Sequence, residues 1–321
     1  MSRIKDALYV QGVPTLGMSG IPVTYGDVYF VDYDNGSDGN VGTRRDKAFK
    51  TLAYAYSKAV SNHNDVIALS ANATHSLSSM LSITKNRVHF IGLDSGGRMY
   101  GQRARISLGV TGIAANIASI QNTGVGNTFR NLKVSNSDTV TEGLYTFAEG
   151  GEYSLFENVE LYKSSQLDAT TAAELLLNGD SAQFHNCTLG SLVDIIEDNK
   201  IRPCVRLARE IITGKVARDC HFQHCFFWRK TAGVEATHVY AAGATDVERL
   251  LLMEDCVFVN AKLSSAVIAN AVGAGAAQTE GIILLKDCAS VNCTVMAQAS
   301  VGIYVAGAVP TFATTGVSKA S

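Results

Sequence analysis

Seven short segments share one arrangement of apolar and polar positions. They are FIGLDS from Phe90, FRNLKV from Phe129, FENVEL from Phe156, FHNCTL from Phe184, FQHCFF from Phe222, MEDCVF from Met253 and LKDCAS from Leu285. Position one is always large and apolar. Position four is Leu93, Leu132, Val159, Cys187, Cys225, Cys256 and Cys288. Position six is Ser95, Val134, Leu161, Leu189, Phe227, Phe258 and Ser290, mostly apolar. A regular strand keeps positions one, three and five on one face, so a pattern of one, four and six slips by a residue at position three. The slip needs a residue that leaves the β region. Position three is Gly92, Asn131, Asn158, Asn186, His224, Asp255 and Asp287, all types that readily accept positive φ. Each repeat therefore reads as strand, left-handed corner, strand, with inward side chains on both sides of the corner.

Successive starts lie 39, 27, 28, 38, 31 and 32 residues apart. One such unit cannot bury its inner face alone, so neighbours must stack. Stacking at the inter-strand spacing of about 4.8 Å makes seven coils about 35 Å long, with loops of unequal length between corners. The fold class expected is all-β, a single-stranded parallel β-helix over residues 86–300.

The flanks read differently. Residues 1–25 hold Gly12, Pro14, Gly17, Gly20 and Pro22 and form an extended N-terminal arm with no core pattern. In residues 26–85, DVYFVDY, DVIALS and MLSITK read as strands. Between them, Phe49, Leu52, Ala53, Tyr56 and Val60 fall at helical spacing, with Asp46 as the expected N-cap. This helix, 46–62, is the expected plug for the open end of the β-helix, led in by the Gly- and Asn-rich loop DNGSDGNVGT. Residues 301–321 read as a last strand, GIYVAG, and a light polar tail.

Composition narrows the function classes. The net charge is -2 and 17% of residues are charged, so neither nucleic acid nor an anionic membrane is sought through bulk charge. The most apolar late stretch is interrupted by Asn270 and too polar to span a bilayer, and the N-terminus shows no secretory signal pattern. The seven cysteines have no paired metal spacing. Cys187, Cys225, Cys256 and Cys288 share one column, read as a buried thiol stack rather than a metal or redox site, because Zn²⁺ needs ligands around a point and not along a line.

DNGSDGNVGT fails as an EF-hand, since position three from Asp34 is Gly36 and position twelve is Arg45. It also fails as a Walker loop; a weak cation at Asp34 and Asp38 stays as the alternative. Carboxylate pairs suited to glycoside chemistry are Asp194, Glu197 and Asp198 in one excursion, and Asp168 with Glu174 in another. Both sets read equally as solvated loop charges. Trp228 falls outward beside Phe227 and, with Arg229 and Lys230, is a candidate partner contact or lateral packing. His224 sits at a corner and needs no catalytic role. No residue is assigned as catalytic, cofactor-binding or metal-binding, and no cofactor is expected.

The corner Asn flanked by Phe and by Cys or Val resembles the stacked-coil pattern of right-handed, pectate-lyase-like parallel β-helix proteins, over roughly residues 26–300. The run Asn-Gly-Ser-Asp, Gly-Thr and a helix is similar to the entry segment of that group. With the arm, the chain resembles phage-encoded β-helix proteins of the virion. That resemblance implies a homotrimeric capsid decoration (cement) protein bound to the major capsid protein or another virion protein, assembled in the host cytoplasm. The alternative it implies is a tailspike-like receptor-binding protein or polysaccharide depolymerase acting on a host surface glycan.

Overall fold

The computed structural model describes residues 9–10, 13–14, 26–71, 73–93, 104–108, 117–136, 144–163, 171–190, 202–209, 211–230, 237–261, 268–306 and 317–319. Apart from one α-helix and one 3₁₀ turn, its elements are strands. All but one short N-terminal ribbon form three sheets, of 11, 8 and 8 strands, parallel except for the last strand of the first, wound as a right-handed β-helix. Each coil places one strand in the first sheet, one in the second and one in the third. The coil at the middle of the stack, for example, uses Leu155–Glu157, Glu160–Lys163 and Ala173–Leu177.

The apolar columns read from the sequence are the registered columns of the sheets. Phe90, Phe129, Phe156, Phe184, Phe222, Met253 and Leu285 pair rung to rung in the first sheet. The five rings stack at centroid distances of 5.3, 4.8, 4.5 and 4.4 Å. Such pairs contribute about 0.5–1.5 kcal/mol each beyond their buried area. In the second sheet Val134, Leu161, Leu189, Phe227 and Phe258 form the matching inward column, all buried.

Six of the seven expected corners are left-handed: Asn131, Asn158, Asn186, His224, Asp255 and Asp287 have φ of 50–55°. Gly92 is the exception. It ends the strand His89–Gly92 without positive φ, and the next strand starts only at Ala104. Its lack of a side chain serves a close approach, since a Cβ there would lie 2.1 Å from the Asn131 carbonyl oxygen. Leu93, expected inward, packs in a separate outer cluster with Val66, Ala68 and Ile91. Ser95 lies outside the described residues.

A second left-handed column enters the first sheet three residues before the Phe column: Arg87, Gly126, Tyr153, Ser181 and Asp219. Asp219 coincides with a register shift between Arg218 and Cys220. The unequal repeat length has one main source. The third-to-first connection is usually 5 residues, as at 150–154 and 178–182, whereas the second-to-third runs from 1 residue (292) to 15 (190–204).

The N-terminal end is capped, with different boundaries from those expected. The helix is Leu52–Lys58, and its N-cap is Thr51, whose hydroxyl accepts from Tyr54 N at 3.2 Å. Asp46 lies in the preceding 3₁₀ turn and pairs with Arg44 instead. Phe49 precedes the helix and bridges Val31 as an extra β-rung. Val60, beyond the helix end, is exposed. The plug itself forms: Phe49, Leu52 and Tyr56 are buried, and the Tyr56 ring lies 6.1 Å from Phe90 at the head of the ladder. The Tyr56 hydroxyl also accepts from Thr84 N and Lys85 N, which ties the helix to the first third-sheet strand. Gly42 (φ 71°) lies against the Phe49 ring, where a Cβ would come within 2.1 Å.

At the other end, Ile303–Ala306 is the last parallel strand, and Val317–Lys319 pairs with it antiparallel. Of the arm, Tyr9–Val10 and Val13–Pro14 pair as a short antiparallel ribbon; the rest of 1–25 lies outside the described residues. Among the described residues no helix is long and apolar enough to cross a membrane.

Candidate functional site

Asp168, Asp194, Glu197 and Asp198 lie outside the described residues. Glu174 is neither a loop residue nor solvated. It sits in the third-sheet strand Ala173–Leu177 and is 1% exposed. Arg229, expected at the surface, ends the second-sheet strand Phe226–Arg229 and turns to Glu174. The pair is bidentate, with Arg229 Nη1 donating to Oε1 at 3.0 Å and Nη2 to Oε2 at 2.5 Å. Arg202 Nε lies 3.7 Å from the same carboxylate. A buried bidentate pair fixes geometry strongly, because removing one partner strands the other charge.

Glu174 belongs to a column that explains its position. Ser119, Thr146, Glu174, Cys204 and His238 each precede the inward residue of successive third-sheet strands, Ile120, Phe147, Leu175, Val205 and Val239. Four of them donate across to a carbonyl of the second sheet: Ser119 to Ser135 (3.1 Å), Thr146 to Tyr162 (2.9 Å), Cys204 to Trp228 (3.5 Å) and His238 Nε2 to Val259 (3.0 Å). An ionised Glu174 has no proton to donate, and arginines meet it instead. Burial pushes His238 down to about 3 and Cys204 up to about 12, so both stay neutral. The column is a seam that closes the second-to-third corner.

A second buried carboxylate, Glu149, lies at the opposite corner of the third sheet. Asn122 Nδ2 donates to both its oxygens (3.0 and 2.9 Å), and Gly151 N and Ser154 Oγ donate to Oε1 (2.8 and 3.0 Å). Asn127 continues the network to Asn122 Oδ1 at 2.8 Å. Burial nevertheless lifts the carboxyl to about 7, against the pull of those donors and of Lys215.

The cysteine column is a thiol stack. Cys187, Cys225, Cys256 and Cys288 donate to the carbonyls of Phe156, Phe184, Phe222 and Met253 in the preceding coil, at 3.3–3.6 Å. A small side chain with one proton suits a place just past a corner, and burial raises the Cys225 thiol further. All seven cysteines are free.

The loop that opens the cap is committed to structure. Asp38 accepts from Lys50 N, Thr51 N and Thr51 Oγ1 (2.9, 2.9 and 2.8 Å), and Asp32 from Asp34 N and Asn35 N. A cluster the sequence did not suggest, Asp27, His63 and Asp65, has metal-like proximity. Its buried member is already saturated: Asp65 accepts from Asp27 N, Val60 N and His63 Nδ1 at 2.6–2.7 Å. It functions as a tether between the first strand and the chain that follows the helix.

Outside the prism, polarity changes along the axis. In the early coils the second sheet presents Arg105, Lys133, Glu160 and Thr188, with Lys133 paired to Glu160 at 3.3 Å. In the last three coils the same columns become Phe226, Val257 and Ala289, beside Trp228, Val259 and Val291. Trp228 is half-buried and stacks on Phe226 at 6.4 Å. On the first sheet one outer column of the last coils is apolar, Leu250 with Ile282 and Leu252 with Leu284 and Tyr304, while the next outward column stays charged with Glu254 and Lys286. Ile282 is 38% and Val291 49% exposed.

The sequence matches no family model and no curated protein. Solved structures share the fold. Pectate lyase Pel9A superposes with a TM-score of 0.58 at 12% identity, over 83% of this chain and 63% of that one. A rhamnogalacturonan lyase gives 0.58 at 14%, over 83% and 68%. The pectin methylesterase of Aspergillus niger gives 0.52 at 13%, over 90% and 91%. The chain thus spans less than two thirds of the pectate lyase. At these identities the likeness shows the fold, a pectate-lyase-like parallel β-helix.

Proposed function

We propose that the protein is a virion structural protein of the capsid-decoration type, a stiff β-helical knob that assembles with copies of itself and attaches to the shell. The change from polar to apolar outer columns in the last three coils carries this reading. Apolar outer columns on two sheets of the prism mark an association site, and a homotrimer is the assembly proposed. The described polar clusters support it, because Glu174, Glu149, Asp65 and Asp38 all hold the coil stack or its cap together. The virion setting rests on the resemblance of fold and arm to phage β-helix proteins. It is tested by immunogold labelling of intact particles, with gold on the head expected. Deleting residues 2–25 is expected to leave a folded protein that no longer attaches; unchanged attachment would remove the arm from the account.

The competing reading is a tailspike-like depolymerase or receptor-binding protein. It is favoured by the solved neighbours, two named as lyases and one as an esterase of pectic polysaccharides. Sugar release from host capsule or lipopolysaccharide, abolished by Asp194→Asn or Glu197→Gln, would establish it over the structural role.

A further inference from the structure

A cleft of about 240 Å³ lies beside the cap, between the first strand, the 3₁₀ turn and the ends of the next two strands of the first sheet. Much of its lining is apolar, with Phe30, Ala48, Ala71 and Leu93. Phe30 and Leu93 also pack on the outer cluster of Val66, Ala68 and Ile91, which gives the cleft a firm floor. The cation in the lining is Arg45, whose guanidinium carbon lies 5.7 Å from the centre of the Phe30 ring. The turn Arg45–Lys47 fixes its backbone: Lys47 N donates to the Arg44 carbonyl at 3.0 Å, and Gly42 N to the Lys47 carbonyl at 2.9 Å. The nearby acids are engaged elsewhere. Asp46 pairs with Arg44 at 2.7 Å. Asp32, also in the lining, accepts from Asp34 N and Asn35 N at 3.1 Å within its own turn. Among the described residues no carboxylate pairs with Arg45, and its side chain meets the Phe30 ring instead.

We propose that this cleft binds a small organic carboxylate, with its apolar body on the floor and its charged group on Arg45. A guanidinium over an aromatic face keeps its N–H edge free, and that edge matches a carboxylate bidentately. The apolar floor adds what the cation does not, a preference for an acid with a hydrocarbon body over a bare inorganic anion. The cleft has about the volume of eight liquid waters, below the range of about 300–1,000 Å³ for drug-sized ligands, so the acid is small. The strands beside it are the first three parallel strands of the first sheet, at the opposite end of the stack from the apolar outer columns. The site therefore stands or falls separately from the assembly proposed above.

The test is titration of the full chain with benzoate, read by calorimetry and by saturation-transfer NMR, beside benzamide and inorganic phosphate. Benzoate is expected to occupy one saturable site per chain. Benzamide, which keeps the ring and loses the charge, is expected to bind at least about tenfold more weakly, and phosphate not to displace benzoate at equal concentration. Arg45→Gln is expected to weaken benzoate binding at least about tenfold with unchanged circular dichroism. Lys47→Gln, which removes an exposed cation of the same turn, is expected to leave it unchanged. The proposal is overturned by no saturable binding of benzoate, by equal affinity for benzamide, or by displacement by phosphate. It is equally overturned by unchanged affinity in Arg45→Gln, or by Lys47→Gln weakening binding as much as Arg45→Gln does.

Discussion

A corner asparagine supplies both a backbone conformation and a side-chain ladder. Asn158 has φ 53°, and its Nδ2 donates to Asn131 Oδ1 at 2.8 Å in the neighbouring coil. Asn158→Gly keeps the first contribution and loses the second, whereas Asn158→Val loses both. The valine variant is expected to be the less stable in urea, by about 1–2 kcal/mol of left-handed strain. This is also why the corners were legible in the sequence. Positive φ restricts the residue types, so Asn, Asp and His recur at one place in the repeat. The entry corners were not legible, because Arg87, Tyr153 and Ser181 adopt the same φ without belonging to the restricted set. Gly92 misled for the complementary reason: a glycine can answer a close contact as well as a turn. Glu149 carries a pH signature at this scale. Its carboxyl, raised from the ordinary 4.5 to about 7, favours folding most when protonated. Its contribution is complete below about pH 4.5 and is lost as pH rises through about 7, on the order of 3 kcal/mol. Denaturation across that window is expected to show the slope in the natural chain and a flatter profile in Glu149→Gln.

Among the elements, the third sheet is the one the sequence concealed. From Asn131 onward the first and second sheets are separated by a one- or two-residue corner, so their columns stay in phase and can be read. The third follows connections of 1 to 15 residues, and that variation erases any fixed offset. Glu174 was missed for the same reason: a carboxylate beside a long excursion looks solvated until its strand is in register with its neighbours. The polar seam joining the second and third sheets takes the place of that fixed corner. Its central pair is tested by a double-mutant cycle. Arg229→Met is expected to cost about 3–5 kcal/mol by stranding Glu174, and Arg229→Met with Glu174→Leu to recover most of it. Additive losses in thermal or urea unfolding would show that the two side chains act separately. The cap shows how packing overrides spacing. Phe49, in phase with the helix in sequence, is pulled into a β-rung by its backbone bonds with Phe30 and Asp32.

At the scale of the molecule, the β-helix is a prism with one end plugged and a second sheet whose outer face turns from polar to apolar along its length. The interior is continuous, with the Phe stack handing over to Met253 and Leu285 and the Phe227–Phe258 pair continuing on the second sheet at 4.7 Å. Buried polar groups serve that stack at each corner. What the prism leaves uncovered are the outer apolar columns of the last coils, Phe226, Trp228, Val257 and Val259 on the second sheet and Leu250, Leu252, Ile282 and Leu284 on the first, with Glu254, Lys286 and the corners Asp255 and Asp287 between them in sequence. Apolar surface is favourable to bury at about 25 cal/mol per Å², and copies of the same prism are the partner proposed. The most direct measurement is multi-angle light scattering of the purified full chain at micromolar concentration, beside a Leu252→Asp, Val259→Asp variant that keeps its β-sheet circular dichroism. The account predicts three chain masses for the natural sequence and one for the variant. A single chain mass for the natural sequence would contradict it.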